Sequence, residues 1–287
     1  MRLQCGIHEL ELLSSNNACP KIMAILNVTP DSFSDGGSYC HGEKVSLDLV
    51  LKRAEVMLSE GADIIDVGGE STRPGAISVS EQLELDRVIP VVETLVKNLG
   101  ALVSVDTSTA SVMRESACHG ASIINDVRAL QREGALAAAA QTGLPVCLMH
   151  MRGQPDSMQN SPEYINVTAE VRDFLHARMA ACVAAGINKD RILLDPGFGF
   201  GKTLDHNLAL LANLQDLVAL GQPVLVGLSR KSILGQMLNR KPEDRLPGSL
   251  ALAIAAAERG AAIVRVHDVA ETRDVLQVFN TIKNYSN

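Results

Sequence analysis

Polar residues interrupt apolar runs of this chain at regular intervals. Asp106 closes SVD, Asn125 and Asp126 close IIND, and Asp195 closes ILLD. Taken singly, each has a structural use, because a carboxylate or amide after a strand often caps the next helix. Taken together, two acids and an amide present several acceptors and a donor to one side of a cavity. That set suits the edge of a flat heterocycle bearing N–H groups and a carbonyl, as in a pterin or a purine. Lys231 and Arg265 add donors, or a cation to stack over the ring.

A second group suits an anion. Arg265 and His267 stand two apart in RVHD, so on a strand they point the same way. A helical stretch follows at once, opened by Asp268 and Glu271 at capping-box spacing. Its free N–H groups favour negative charge. Thr72 and Arg73 lie in a comparable loop, DVGGESTRP. Asn27 offers a hard amide oxygen near Asp31 and Asp35. One or two such ligands plus substrate phosphates is the usual way of holding Mg2+. No spacing of His, Cys and Asp suggests zinc. His150 reads as a hydrogen-bonded core histidine rather than a ligand.

The glycine-rich DPGFGFGKT is neither a P-loop nor a dinucleotide fingerprint. Gly197 and Gly201 are too close, and Pro196 stands where the first pattern needs Gly. It reads instead as a flexible, ligand-facing loop. Phe33 and Phe200 either wall a second ring or belong to the core.

The elements that must position these residues follow from glycine punctuation. Gly61, Gly100, Gly120, Gly143, Gly186, Gly221 and Gly260 each follow a helix-like stretch and precede a short apolar run. Strands are expected at 63–67, 102–106, 122–126, 145–149, 191–195, 224–228 and 262–266, with a first at 22–28. They are near-continuously apolar, as parallel strands buried on both faces are. Amphipathic stretches lie between them, at 47–58, 168–185, 208–220 and 249–259. About eight strands alternating with helices point to an α/β fold, a (β/α)8 TIM barrel, rather than an open doubly wound sheet. In a barrel, the polar residues singled out above all fall at the C-terminal ends of strands. Residues 3–5 and 8–13 stand outside the repeat, and a short N-terminal hairpin at the barrel bottom accounts for them. The whole of 1–287 reads as one domain.

Composition narrows the class. The chain has 287 residues, 26 basic against 33 acidic, for a net charge of −7, which disfavours a general nucleic-acid or membrane-surface binder. No apolar run is long enough for a membrane helix, and the N-terminus lacks the features of a secretory signal. Six scattered cysteines without a close pair read as reduced thiols in a cytoplasmic protein.

The segments ILNVTPDSFSDGG, ADIIDVGGESTRPGA, SVDTS, IINDVRAL, GLPVCLMHM, LLDPGFGFGK, VGLSRKS and IVRVHDV, in that order, closely resemble the dihydropteroate synthase family. The resemblance runs from about Ile22 to Val278. It implies a pterin-binding barrel that joins (7,8-dihydropterin-6-yl)methyl diphosphate to 4-aminobenzoate, with Mg2+, and that sulfonamides inhibit. It further implies a pterin pocket of Asp106, Asn125, Asp195, Lys231 and Arg265, and diphosphate contacts from Thr72, Arg265 and His267. Asn27 and Asp35 would hold the metal, and Phe33, Pro74, Phe200, Arg230 and Ser232 would form the 4-aminobenzoate subsite. Asp106, Asp195, Lys231 and Arg265 would carry the catalysis, in a homodimer. A methyltetrahydrofolate-dependent methyltransferase would share the pocket but lack NVTPDSFSDGG and the R-x-H pair. A non-catalytic pterin binder would have no use for a leaving-group site.

Overall fold

The computed structural model describes residues 2–12, 19–29, 40–41, 44–71, 79–153, 158 and 162–285, the side chains of 40, 41 and 44 excepted. Eight parallel strands form the sheet: β1 (Lys21–Asn27), β2 (Ile64–Gly68), β3 (Val103–Asp106), β4 (Ile123–Asp126), β5 (Val146–Met149), β6 (Ile192–Asp195), β7 (Leu225–Val226) and β8 (Ile263–Val266). Each pairs with its sequence neighbour, and β8 pairs with β1. The ring closes where Leu194 N donates to Pro223 O at 3.0 Å beside a parallel bridge from Leu194 to Val224. The fold is therefore the expected closed barrel. Within 224–228, Leu225 and Val226 pair with β8, and Val224 makes a single bridge to Leu194.

Helices separate the strands, and their ends follow the glycines. All seven punctuating glycines adopt positive φ, from 57° at Gly100 to 102° at Gly61. At Gly61 this turn lets its N–H reach back to the carbonyl of Leu58. The expected 208–220 helix is two, Leu204–Ala212 and Leu214–Val218, broken at Asn213. The last helix, Val269–Tyr285, starts directly after Asp268 as its spacing predicts. Yet the Asp268 carboxylate is paired with Arg230, whose Nε donates to it at 3.0 Å.

Strand alternation divides the interior. Residues facing outward, such as Ile65, Val105, Ile124, Leu148 and Leu194, join the helices in the main apolar core. Those facing inward at the lower ends are also apolar: Met23, Ile64, Leu102, Ile123, Cys147, Leu193, Leu225 and Ile263. Leu3, Cys5, Leu10 and Leu12 of the N-terminal hairpin, strands Arg2–Cys5 and His8–Glu11, pack against this layer. The hairpin thus stoppers the barrel bottom, as expected. Further along the same strands most inward positions turn polar, two residues on at Asp66, Ser104, Asn125, Asp195 and Arg265 and four residues on at Asn27 and Asp106, while Ile25 and Met149 stay apolar.

Candidate active site

Those upper inward positions are Asn27 on β1, Asp66 on β2, Asp106 on β3, Asn125 on β4, Asp195 on β6 and Arg265 on β8. Sheet register sets Asn27, Gly68, Asp106 and Asn125 side by side in one row. A Cβ on Gly68 would stand 3.1 Å from Asn27 Oδ1 and 3.7 Å from the Asp106 Cβ. Glycine therefore leaves an opening between the amide and the acid.

Arg265 ties the strands together across the mouth. Its Nε donates to Asp66 Oδ2 at 2.6 Å and its Nη2 to Asp106 Oδ2 at 3.1 Å. Asn125 Nδ2 donates to the same Asp66 oxygen at 3.3 Å. Asp66 is fully buried and its Oδ1 has no hydrogen-bond partner among the described residues. Burial pushes the Asp106 carboxyl well above the usual carboxylate range, with Arg265 opposing the shift and Asp66 adding to it. Sequence reasoning missed Asp66. Its signal was parity, since an acid stands inward among the apolar residues of ADIIDVG.

Asp195 and Lys231 form the next group. Asp195 Oδ1 accepts from Gly197 N at 2.7 Å. Its carboxyl is also raised by burial, against the pull of the Lys231 charge. Burial lowers Lys231 to about 8, with Asp195 holding it up. The Lys231 ammonium donates to Phe198 O and sits 4.4 Å from the centre of the Phe200 ring. Phe198 itself is a core residue, fully buried.

The loop between them is tied down, which corrects the expectation of flexibility. Lys202, buried in the interior, donates to Gly197 O at 2.8 Å, Phe200 O at 3.1 Å and His150 Nδ1 at 3.0 Å. Gly199 N donates to Asn207 Oδ1 at 2.7 Å. A Cβ at Gly197, whose φ is +68°, would meet His150 O at 1.8 Å. Only glycine fits that approach. His150 is a buried, hydrogen-bonded histidine, as read from the sequence, and burial lowers its pKa to about 2.

His267 and Ser229 meet at the end of β8, with Nδ1 and Oγ 3.0 Å apart. Arg230, at φ 56°, is held by Asp268 and by Ser249 Oγ, which accepts from its N–H at 2.9 Å. Ser232, the first residue of helix Ser232–Leu238, is exposed. Phe33, Asp35, Thr72, Arg73 and Pro74 lie outside the described residues.

A supporting set behind the site also went unread. Glu84, buried on the helix after β2, accepts from Thr107 Oγ1 at 2.5 Å and Thr109 Oγ1 at 2.6 Å. This fixes the turn that follows Asp106. Asp126 accepts from Ser108 Oγ and, at 2.8 Å, from the N–H of Arg128 and of Leu130. It serves the local turn, whereas Asn125 beside it faces the cavity. Three carboxylates, one guanidinium and one ammonium thus converge on one mouth, able to accept from ring N–H groups and to place a cation against a ring.

Among the described residues no helix is long and apolar enough to cross a membrane. Residues 23–267 match the family described as pterin binding enzyme. The chain is 56% identical to the dihydropteroate synthase of Escherichia coli K12 over 259 residues, 90% of either chain. It superposes with a TM-score of 0.93 on the Yersinia pestis dihydropteroate synthase in complex with a sulfonamide drug, at 54% identity, covering 99% of this chain and 100% of that one. With the Burkholderia cenocepacia dihydropteroate synthase complexed with 7,8-dihydropteroate the TM-score is 0.87 at 45% identity, over 99% and 97% of the two chains. The chain belongs to the dihydropteroate synthase family.

Proposed function

We propose that this chain condenses (7,8-dihydropterin-6-yl)methyl diphosphate with 4-aminobenzoate to give 7,8-dihydropteroate and diphosphate. The observation that carries the assignment is the contact group at the barrel mouth, where Arg265 bridges Asp66 and Asp106 with Asn125 alongside. Asp106, Asn125 and Asp195 take the N–H edge of the pterin, Lys231 donates to its acceptors, and Arg265 lies against the ring. Arg265, His267 and Thr72 receive the diphosphate. Phe33, Pro74, Phe200, Arg230 and Ser232 form the 4-aminobenzoate subsite, where sulfonamides compete.

The reaction runs dissociatively. The bond between the methylene carbon and the diphosphate oxygen breaks, and its electron pair leaves with diphosphate. Asp106 and Asp195 stabilise the positive charge that spreads over the pterin. The amine lone pair of 4-aminobenzoate then forms the C–N bond, and an amine proton passes to solvent. Asn27 suits Mg2+, because its amide oxygen borders the opening that Gly68 leaves, and Asp35 would join it. The ion would neutralise charge on the departing diphosphate.

Pyrophosphate release is the test. Release from the dihydropterin diphosphate should depend on Mg2+, and 7,8-dihydropteroate should appear only with 4-aminobenzoate present. Tight pterin binding without release would point to a non-catalytic binder. The whole chain 1–287 acts as one cytoplasmic domain and assembles as a homodimer along its last helix, where Val278 and Tyr285 are 60% and 91% exposed. Sedimentation should give a dimer that Val278→Glu weakens. A wild-type monomer at micromolar concentration would contradict that assembly.

A further inference from the structure

Lys202 is a buried cation, 3% exposed, that the proposed chemistry does not use. Its ammonium lies within hydrogen-bond distance of four acceptors: Gly197 O at 2.8 Å, His150 Nδ1 at 3.0 Å, Phe200 O at 3.1 Å and His150 O at 3.4 Å. None of these is a carboxylate. A buried ammonium is costly: burial pulls the Lys202 pKa well below its ordinary value, Asp195 opposes that pull, and the hydrogen bonds that offset the cost come from the turn 197–200 and from His150. The same turn supplies both contacts that orient the neighbouring pair. Gly197 N donates to Asp195 Oδ1 at 2.7 Å, and Phe198 O accepts from Lys231 Nζ.

We propose that Lys202 is a positioning residue for pterin binding, stapling the 197–200 turn so that its N–H and carbonyl aim Asp195 and Lys231 at the ring. The inference rests on the pterin-site reading above. Lys202 also acts through its charge, because it favours the ionised form of Asp195, as do Lys231, Arg265 and the Gly197 N–H. Facing Lys202 itself are Asp195, Lys231, Arg152 and His150. His150 stays neutral and accepts through Nδ1.

The test compares Lys202→Met with Phe174→Leu in the full-length enzyme. Phe174 packs edge-on against His150 with ring centres 4.9 Å apart. Binding of the dihydropterin diphosphate alone is titrated from pH 5 to 9, beside steady-state KM values and thermal melting. Lys202→Met should weaken binding of the dihydropterin diphosphate alone by about tenfold or more. Its acid limb should move upward by about half a pH unit or more, since Asp195 loses a neighbouring cation. Phe174→Leu should lower the melting temperature and leave pterin affinity and the acid limb in place. If Lys202→Met fails to fold, Asn207→Ala, which frees Gly199 N from the same turn, should weaken binding of the dihydropterin diphosphate in the same direction at smaller size. Unchanged pterin affinity in either folded variant, or equal losses in Phe174→Leu, would overturn the proposal. Absence of pterin binding in the wild type would instead overturn the site reading.

Discussion

The lower and upper halves of the barrel interior are built from the same strands and differ by one step of two residues. Ile64 lies below Asp66, Ile123 below Asn125, Leu193 below Asp195 and Ile263 below Arg265. The lower set is apolar, closed by the hairpin, and can only contribute burial, about 1.5–3 kcal/mol for each large side chain. The upper set places three acids and two cations at the open end, where burial raises Asp106 and Asp195, lowers Lys231, and leaves Asp66 Oδ1 without a partner among the described residues. One half holds the fold together, and the other spends stability on chemistry. Strand parity turns a residue inward, and its height along the strand assigns it to one half or the other.

The largest break in that comparison is expected from Asp106→Asn. The side chain keeps its shape but loses the charge that meets Arg265 and the pterin. We expect kcat to fall by about 100-fold or more, with pterin affinity and melting temperature changed far less. Turnover equal to wild type in a stopped assay of dihydropteroate formation would remove Asp106 from the mechanism.

A smaller effect, in pH dependence, sharpens the comparison. Burial lowers Lys231 to about 8, so its donor charge is lost as pH rises through that value, and kcat/KM for the pterin substrate should fall several-fold there. Burial raises Asp106 and Asp195, so their ionised forms are lost as pH falls, at a higher pH than ordinary carboxylates. The profile should therefore be a narrow bell. A plateau extending through pH 9.5 would show that Lys231 is not needed as a charged donor.

The two halves were not equally legible in sequence. Glycine punctuation and continuous apolar runs place the strands to within a few residues, because those signals are local. The same holds for Asp106, Asn125, Asp195 and Arg265, which interrupt apolar stretches at their ends. Asp66 hides one step deeper, and only counting inward positions reveals it. The pairing of Arg230 with Asp268 spans 38 residues of chain, so no local pattern carries it. Lys202 looked like the end of a failed phosphate motif, while its ammonium actually holds the turn together from within. Glu84 acts from a helix, outside the strand ends where polar residues draw attention.

The most direct test uses two neighbours on β6, Leu193→Ala and Asp195→Ala, each assayed for dihydropteroate formation and for chemical unfolding. Leu193→Ala should lose about 2–5 kcal/mol of stability while keeping its turnover per folded molecule. Asp195→Ala should keep its unfolding midpoint near wild type and lose most of its turnover. The reverse pattern, or two variants that lose stability and turnover together, would contradict the division of the barrel into a lower half that folds and an upper half that reacts.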